Sequence, residues 1–189
     1  MEIFLDQEDY KFFLFRLKEN LFPPRNHLVK TPGLYVRKSL PADSFTLLSY
    51  CLMPNHFHLL IRQNGPTPVS KLISKICTSY SKYFNKKYER VGHVFQDAFK
   101  AIIVDSDSYL LWLSAYIHQN PAVGGLVNNL NDYEYSSYLD YIGIRKGTLC
   151  VQKTILDYCN SQSKRYEDFV MWNFDTINKQ EDLKNLLLD

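Results

Sequence analysis

Two histidines separated by one residue lie within a short apolar segment, Pro54-Asn55-His56-Phe57-His58-Leu59-Leu60-Ile61. Side chains two positions apart on a β-strand point to the same face and lie about 7 Å apart along it. Two imidazoles on one strand face can bind a single divalent cation. Two histidines are too few to define a metal site, so their spacing leaves open a second interpretation, a pair of half-exposed strand histidines without a ligand.

A tyrosine and an asparagine further along the chain are spaced for one face of a helix, in Ser114-Ala115-Tyr116-Ile117-His118-Gln119-Asn120-Pro121. Tyr116 and Asn120 are related as i and i+4, and Trp112 extends the same face upstream. A separate apolar row is expected to pack on a sheet: Leu110, Leu113 and Ile117. Tyr116 is therefore offset from the core row, beside an amide oxygen that can bind a cation. Without a partner motif, a packed tyrosine with a satisfied hydroxyl is the simpler alternative.

The elements that must position these side chains follow from hydrophobic periodicity and turn residues. We predict helices over 6–21, 69–88 and 109–119, strands over 45–51, 57–62 and 95–104, a short strand at 34–36, and short terminal helices at 155–158, 166–174 and 183–188. The third helix is expected to end before Asn120-Pro121, because proline lacks an N–H and disfavours helix at the preceding residue. This order predicts an α+β fold, an antiparallel sheet with helices packed on one face in the split βαβ (ferredoxin-like) arrangement.

Composition excludes several classes of protein. With 46% hydrophobic and 22% charged residues among 189, the chain is globular rather than disordered. No apolar segment approaches the roughly 20 residues of a membrane helix, and the N-terminus lacks the pattern of a secretory signal. The four cysteines form no CxxC pair and are expected to be free thiols. The expected compartment is the cytoplasm.

The net charge of +2 is too small to indicate a nucleic-acid-binding protein, but its distribution is uneven. Residues 71–90 contain six basic side chains and one acidic side chain, whereas residues 166–189 are acidic. Four of the lysines recur at intervals of 4, 7 and 4 and share one side of the predicted helix: Lys71, Lys75, Lys82 and Lys86. This side either follows a polyanion or is simply a solvated helix face.

The motifs that bear chemistry occur in one order along the chain: Cys51-Leu52-Met53-Pro54-Asn55-His56-Phe57-His58-Leu59-Leu60, Tyr83-Phe84-Asn85, Gly92-His93-Val94-Phe95-Gln96, Phe99-Lys100, Tyr109-Leu110 and Tyr116-Ile117-His118-Gln119-Asn120-Pro121. In this order they resemble the single-tyrosine HUH transposases (insertion-sequence-200-like), and among them the REP-associated tyrosine transposases, stand-alone relatives associated with palindromic repeats. The resemblance implies an HUH domain over 1–143 and a C-terminal helical tail over 144–189.

The resemblance also implies a role for each matching residue. His56 and His58 would be the metal-binding HUH pair, Tyr116 the nucleophile, and Asn120 the third ligand, with Gln119 as its rival. The metal would be Mg²⁺ or Mn²⁺, and the reaction the nicking and joining of single-stranded DNA through a 5′-phosphotyrosine intermediate. The partner would be single-stranded DNA with a hairpin or palindromic repeat, bound by a monomer or homodimer. Its phosphates would contact a set of lysines: Lys71, Lys75, Lys82, Lys86 and Lys100.

Two departures from the family pattern favour an alternative function. Family members usually have a strand before the segment that corresponds to residues 3–6, whereas this chain begins at Met1. We expect the loss of that strand to leave a gap in the sheet, to destabilise the sheet, or to be compensated by residues such as 34–36 or by another chain. Asp97-Ala98 stands where the family has an arginine before Phe99-Lys100. The alternative is a domesticated DNA-binding protein without catalytic activity; a zinc hydrolase is disfavoured because the strand offers no carboxylate base.

Overall fold

A computed structural model describes residues 1–23 and 39–179, with side chains to residue 173. Its elements are α1 (Gln7–Leu21), β1 (Phe45–Met53), β2 (His56–Gln63), α2 (Val69–Lys87), α3 (Asp107–Val123), α4 (Tyr138–Tyr141), α5 (Lys153–Leu156) and α6 (Ser163–Lys179), with 3₁₀ turns at Leu130–Asp132 and Asp157–Cys159. The chain forms two compact units. The first contains the described residues of 1–46 and 62–98, and the second those of 47–61 and 99–189.

The first unit is built on the pairing of α1 with α2. The carboxylate of Asp6 accepts hydrogen bonds from the backbone N–H groups of Glu8 and Asp9, at 2.9 and 3.2 Å, so Asp6 caps the start of α1. The buried stripe of α2 includes Leu72, Ile76, Tyr80 and Phe84, whereas Tyr83 is half-buried. The two helices were predicted correctly because their apolar periodicity is local.

An ionic cluster joins the start of α1 to the end of α2. The carboxylate of Asp9 is fully buried, and it accepts hydrogen bonds from Lys87 Nζ at 2.9 Å and from the Tyr88 hydroxyl at 2.9 Å. Lys87 Nζ also lies 2.7 Å from both carboxylate oxygens of Asp6. Although desolvation acts in the opposite direction, the hydrogen bonds to Asp6 and Asp9 raise the pKa of Lys87. Lys87 therefore stabilises the pairing of α1 with α2.

In the second unit, the outer edge of β1 is covered by the tyrosine-rich segment 133–151. The hydroxyls of Tyr133 and Tyr141 donate to the carbonyl oxygens of Leu52 and Leu48, at 2.5 and 2.6 Å. Cys51 and Ser136 form an isolated antiparallel bridge on the same edge. Backbone polar groups that an edge strand would expose to solvent are thereby satisfied.

The side of α3 that faces α6 is held by buried hydrogen bonds. The imidazole of His118 lies 2.7 Å from the Ser137 hydroxyl through Nε2 and 2.8 Å from the Tyr166 hydroxyl through Nδ1. Burial lowers the pKa of His118 to about 3, so the ring is neutral. The amide of Gln119 donates to the carbonyl of Val170 on α6. These contacts fix the helix that carries Tyr116.

The predicted strand over 95–104 is wrong. These residues have no regular secondary structure, and Phe99, Ile102 and Ile103 are exposed. A strand requires a partner for its ladder of hydrogen bonds, and in the described residues the sheet consists of β1 and β2, paired as an antiparallel hairpin. The α+β class is confirmed, whereas the split βαβ core is not confirmed.

The predicted end of α3 before Asn120-Pro121 is also wrong, because the helix continues through Pro121 to Val123. Proline removes the N–H that would bond to the carbonyl of Ile117, four residues earlier. The side-chain amide of Asn120 donates to that carbonyl at 3.5 Å and to the carbonyl of Tyr116 at 2.9 Å. A side-chain donor thus substitutes in part for the missing backbone donor.

The remaining predictions concern the ends and divisions of the chain. Helices are found at two of the predicted tail positions, as α5 with its 3₁₀ extension and as α6. The strand at 34–36 and the helix at 183–188 lie outside the described residues, and the division between 143 and 144 stays a prediction. Among the helices that are described, none is both long and apolar enough to cross a membrane.

Candidate active site

The first residues of β2 bring the two imidazoles of the sequence motif together. The hairpin turn at Pro54-Asn55 leads directly into His56, the first residue of the strand. His56 Nε2 lies 2.9 Å from His58 Nε2, and the ring planes are nearly perpendicular, at 89°. The two side chains therefore share a face, as their spacing predicts, and their ring nitrogens converge on one point.

Asn55 orients the first of these rings, a role that the sequence pattern did not indicate. Its Oδ1 atom lies 2.6 Å from His56 Nδ1. An oxygen at this position accepts a hydrogen bond from Nδ1–H and leaves Nε2 as the nitrogen with a free lone pair, which is how histidine ligands are usually oriented. Asn55 immediately precedes His56 in the sequence, but an asparagine after a proline is also typical of a turn, so the sequence alone did not reveal this role.

The imidazole of His58 is uncharged at neutral pH. Burial lowers its pKa to about 3, the neighbouring His56 acts in the same direction, and a hydrogen bond with Asn120 opposes both. A neutral imidazole is the form that binds a metal.

Tyr116 lies beside this pair. It projects from α3. The Ser106 hydroxyl caps this helix by accepting a hydrogen bond of 3.3 Å from the backbone N–H of Tyr109. The phenol ring of Tyr116 meets the imidazole of His58 edge to face, with centroids 6.1 Å apart and planes at 83°. Tyr116 is half-buried, so the ring is held by neighbours and remains accessible.

Asn120 reaches the same imidazole from one turn further along α3. Its amide nitrogen is directed at the helix carbonyls described above, so its oxygen is the atom left for other partners. The hydrogen bond with Asn120 raises the pKa of His58, which is the effect of an acceptor oxygen. Gln119, the rival for this role, is fully buried and bonded to α6 instead.

The arrangement of these donors fits a small divalent cation. Ligands about 2.1 Å from such an ion lie about 3 Å apart when they are neighbours in an octahedron, and the two histidine Nε2 atoms are 2.9 Å apart. Across residues 1–23 and 39–179, no group of three His, Cys, Asp or Glu side chains converges on one point. A cation at the histidine pair would therefore need further ligands, such as a side-chain amide oxygen, substrate oxygens or water.

Five lysines were predicted to bind DNA, and of these Lys100 alone belongs to the unit that contains this site. Lys71, Lys82 and Lys86 are exposed on α2 and Lys75 is half-buried there, all in the first unit. Lys100 belongs to the second unit, in the irregular segment before α3. The four lysines of α2 lie apart from its buried stripe, as the periodicity predicts.

The second unit thus places a pair of strand histidines beside a tyrosine of α3. The family of IS200-like transposases matches residues 25–120, a range that includes both histidines, Tyr116 and Asn120. Since this match spans half of the chain, the protein belongs to the IS200-like transposase family.

A comparison with curated proteins supports this assignment. The chain is 26% identical over 106 residues to a protein of Haemophilus influenzae (strain ATCC 51907 / DSM 11121 / KW20 / Rd) named REP-associated tyrosine transposase. The aligned part is 50% of this chain and 59% of that relative, so the chain spans about three-fifths of the relative's length. No solved structure matches the chain.

Proposed function

We propose that the protein nicks and rejoins single-stranded DNA, with Tyr116 as the nucleophile and a divalent cation bound at the histidine pair. The observation that carries the proposal is the position of Tyr116, whose ring lies edge to face with His58 while His58 Nε2 lies 2.9 Å from His56 Nε2. A phosphate within reach of the phenol would also be within reach of whatever the two imidazoles bind.

In the proposed reaction the phenolic oxygen of Tyr116 attacks the scissile phosphorus. An O–P bond forms to the tyrosine, the bond from phosphorus to the 3′ oxygen breaks, and that oxygen takes up a proton while the phenol gives one to solvent. The products are a 5′-phosphotyrosine linkage and a free 3′-hydroxyl. Attack by another 3′-hydroxyl reverses the step, so joining needs no nucleotide cofactor. A phenol with a pKa near 10 serves both as nucleophile and as leaving group.

The proposed ligands of the cation are His56 Nε2, His58 Nε2 and Asn120 Oδ1, with Mg²⁺ or Mn²⁺ as the ion. When bound, the ion supplies a Lewis acid for the scissile phosphate. The chain supplies the preorganisation: Asn55 orients His56, burial keeps His58 neutral, and the carbonyls of α3 orient the amide of Asn120. Such fixed geometry reduces the reorganisation that a loosely held site would need.

The proposed substrate is single-stranded DNA that carries a hairpin or palindromic repeat, which rests on the name of the Haemophilus relative and on the basic side of α2. The exposed lysines would bind phosphates regardless of sequence. Lys100 would contribute from the irregular segment. A monomer or homodimer is expected.

A second candidate function is binding of such DNA without chemistry. It is favoured by the sheet, which in the described residues has two strands where the family resemblance implies a split βαβ core. This alternative keeps the basic side of α2 and predicts no covalent intermediate.

Incubation of the full chain with 5′- and 3′-labelled single-stranded oligonucleotides, carrying the repeats that flank its own gene, separates the two candidates. With Mn²⁺ or Mg²⁺ present, the proposed function predicts an adduct that survives denaturing electrophoresis and carries the label of the strand 3′ to the nick. Excess chelator should prevent it. Tight binding of the same oligonucleotides with no adduct under any of these conditions would favour the binding protein.

A further inference from the structure

Three aromatic rings form a row along one side of α3. Tyr109, Trp112 and Tyr116 are spaced as i, i+3 and i+7, so they recur on one helix face. The ring centroids of Tyr109 and Trp112 are 6.0 Å apart with planes at 13°, and those of Trp112 and Tyr116 are 5.6 Å apart with planes at 19°. The three rings are therefore nearly parallel, and the row ends at the proposed nucleophile.

This row is not part of the hydrophobic core. All three rings are half-buried, whereas Leu113 and Ile117 on the other side of the same helix are buried. The proposed reaction uses the phenolic oxygen of Tyr116 but gives no role to Tyr109 or Trp112. Two large aromatic side chains are thus kept partly exposed next to the reaction centre, although burying them would stabilise the fold.

We propose that Tyr109 and Trp112 form a stacking surface for unpaired bases of the DNA strand beside the scissile phosphate. The inference rests on the proposed function, since it takes single-stranded DNA as the substrate at Tyr116. Flat aromatic rings bind the face of any base, so they position a strand without reading its sequence.

The charges of α3 indicate that the row of aromatic rings binds bases rather than phosphates. Residues 105–123 contain no lysine or arginine, and Asp105 and Asp107 stand at the start of the helix. Burial raises the pKa of Tyr109, and the nearby carboxylate of Asp105 adds to this effect. A negative charge beside the row repels a phosphate and tolerates a neutral base. The strand would therefore turn its bases towards Tyr109 and Trp112 and its phosphates away from them.

The two tryptophans of the chain allow a direct test. Trp172 is exposed on α6, so the double variant Trp172→Phe/Tyr116→Phe keeps Trp112 as its single tryptophan and cannot form the proposed adduct. The probes are a twelve-residue oligothymidylate and a twelve-residue abasic strand with the same sugar-phosphate backbone. We expect the oligothymidylate to quench the fluorescence of Trp112 at saturation and the abasic strand to leave it unchanged.

Affinity measurements on variants test the same inference independently. In the Tyr116→Phe background, Trp112→Ala should weaken binding of the oligothymidylate about ten-fold, leave the abasic strand unaffected, and be rescued by Trp112→Phe. Trp172→Ala is the matched control, because it removes an exposed indole on another helix. An equal loss for both probes, or equal quenching by both, would overturn the stacking surface.

Three further outcomes are informative. Quenching of Trp112 that depends on protein concentration without DNA would show that a second copy covers the row, and it would overturn the proposal. Adduct formation by the wild type without quenching of Trp112 would overturn the stacking surface and leave the proposed function intact. Quenching without an adduct would support stacking and count against the proposed chemistry.

Discussion

The amide nitrogen of Asn120 lies 3.5 Å from the carbonyl oxygen of Ile117, the backbone acceptor that has no helical partner because Pro121 has no N–H. The same nitrogen lies 2.9 Å from the carbonyl oxygen of Tyr116. One side chain therefore has two duties that use different atoms. Its nitrogen allows α3 to continue through a proline, and its oxygen is oriented towards His58.

Substitutions of Asn120 should separate these duties. Asn120→Asp removes the donor but keeps an oxygen, so we expect a loss of about 1 kcal/mol in the free energy of unfolding with Mn²⁺-dependent nicking retained. Asn120→Ala should lose similar stability and also the nicking. Urea unfolding and the adduct assay measure the two effects. Equal nicking by the Ala and Asp variants would exclude Asn120 as a ligand.

Substitutions of Asn55 and of the histidines should differ in how strongly they change the dependence of nicking on Mn²⁺. His56→Ala removes a proposed ligand and should abolish nicking at any Mn²⁺ concentration. Asn55→Ala removes the group that orients His56, so nicking should persist but require roughly 10- to 100-fold more Mn²⁺. A titration of Mn²⁺ against initial rate distinguishes the two. If Asn55→Ala follows the wild-type titration curve, the contact between Asn55 and His56 has no role in metal binding.

Stability should depend on pH through His118. Its pKa in the folded protein is about 3, below the usual value near 6.5, because it is buried. The unfolded chain therefore binds one more proton between these values, and the stability that His118 contributes is lost as pH falls below about 6.5. The expected change is up to about 1.4 kcal/mol per pH unit.

The variant His118→Gln measures this contribution by urea unfolding at pH 7 and pH 5. His58 titrates in both proteins, so the difference between wild type and variant isolates His118. We expect a shallower dependence on pH in the variant. Tyr166→Phe is the control, since it removes a hydrogen bond to His118 but keeps the titrating ring. The same pH dependence in wild type and His118→Gln would contradict a neutral buried imidazole.

The exposed residues Lys82 and Lys86 of α2 should act on DNA through charge alone. Replacing Lys82 and Lys86 with glutamine should weaken binding of every single-stranded oligonucleotide alike and reduce the dependence of affinity on salt by about one counterion for each replaced lysine that binds a phosphate. The rate of adduct formation at saturating DNA should not change. Lys153→Gln/Lys164→Gln is a matched control, because it removes two exposed charges from the second unit. Identical salt slopes for the two double variants would show that the α2 lysines are merely solvated.

The sequence predicts those features of the fold and site that depend on local spacing. The common face of His56 and His58 follows from the period of a strand, and the common face of Tyr116 and Asn120 follows from the period of a helix. The prediction of a strand over 95–104 was wrong because an alternation of apolar residues does not reveal whether a second strand is available for pairing. The contact of His118 with Tyr166 joins residues 48 positions apart, and no spacing rule predicts it.

The identity of the nucleophile is the central claim, and peptide mass spectrometry of the trapped protein–DNA adduct tests it most directly. After nuclease and protease digestion, we predict that the phosphonucleotide is found on the peptide that contains Tyr116 and on no other peptide. Tyr116→Phe should fold, bind DNA and give no adduct, because it removes the oxygen and keeps the ring. A nucleotide on any other tyrosine, or an adduct formed by Tyr116→Phe, would contradict the account.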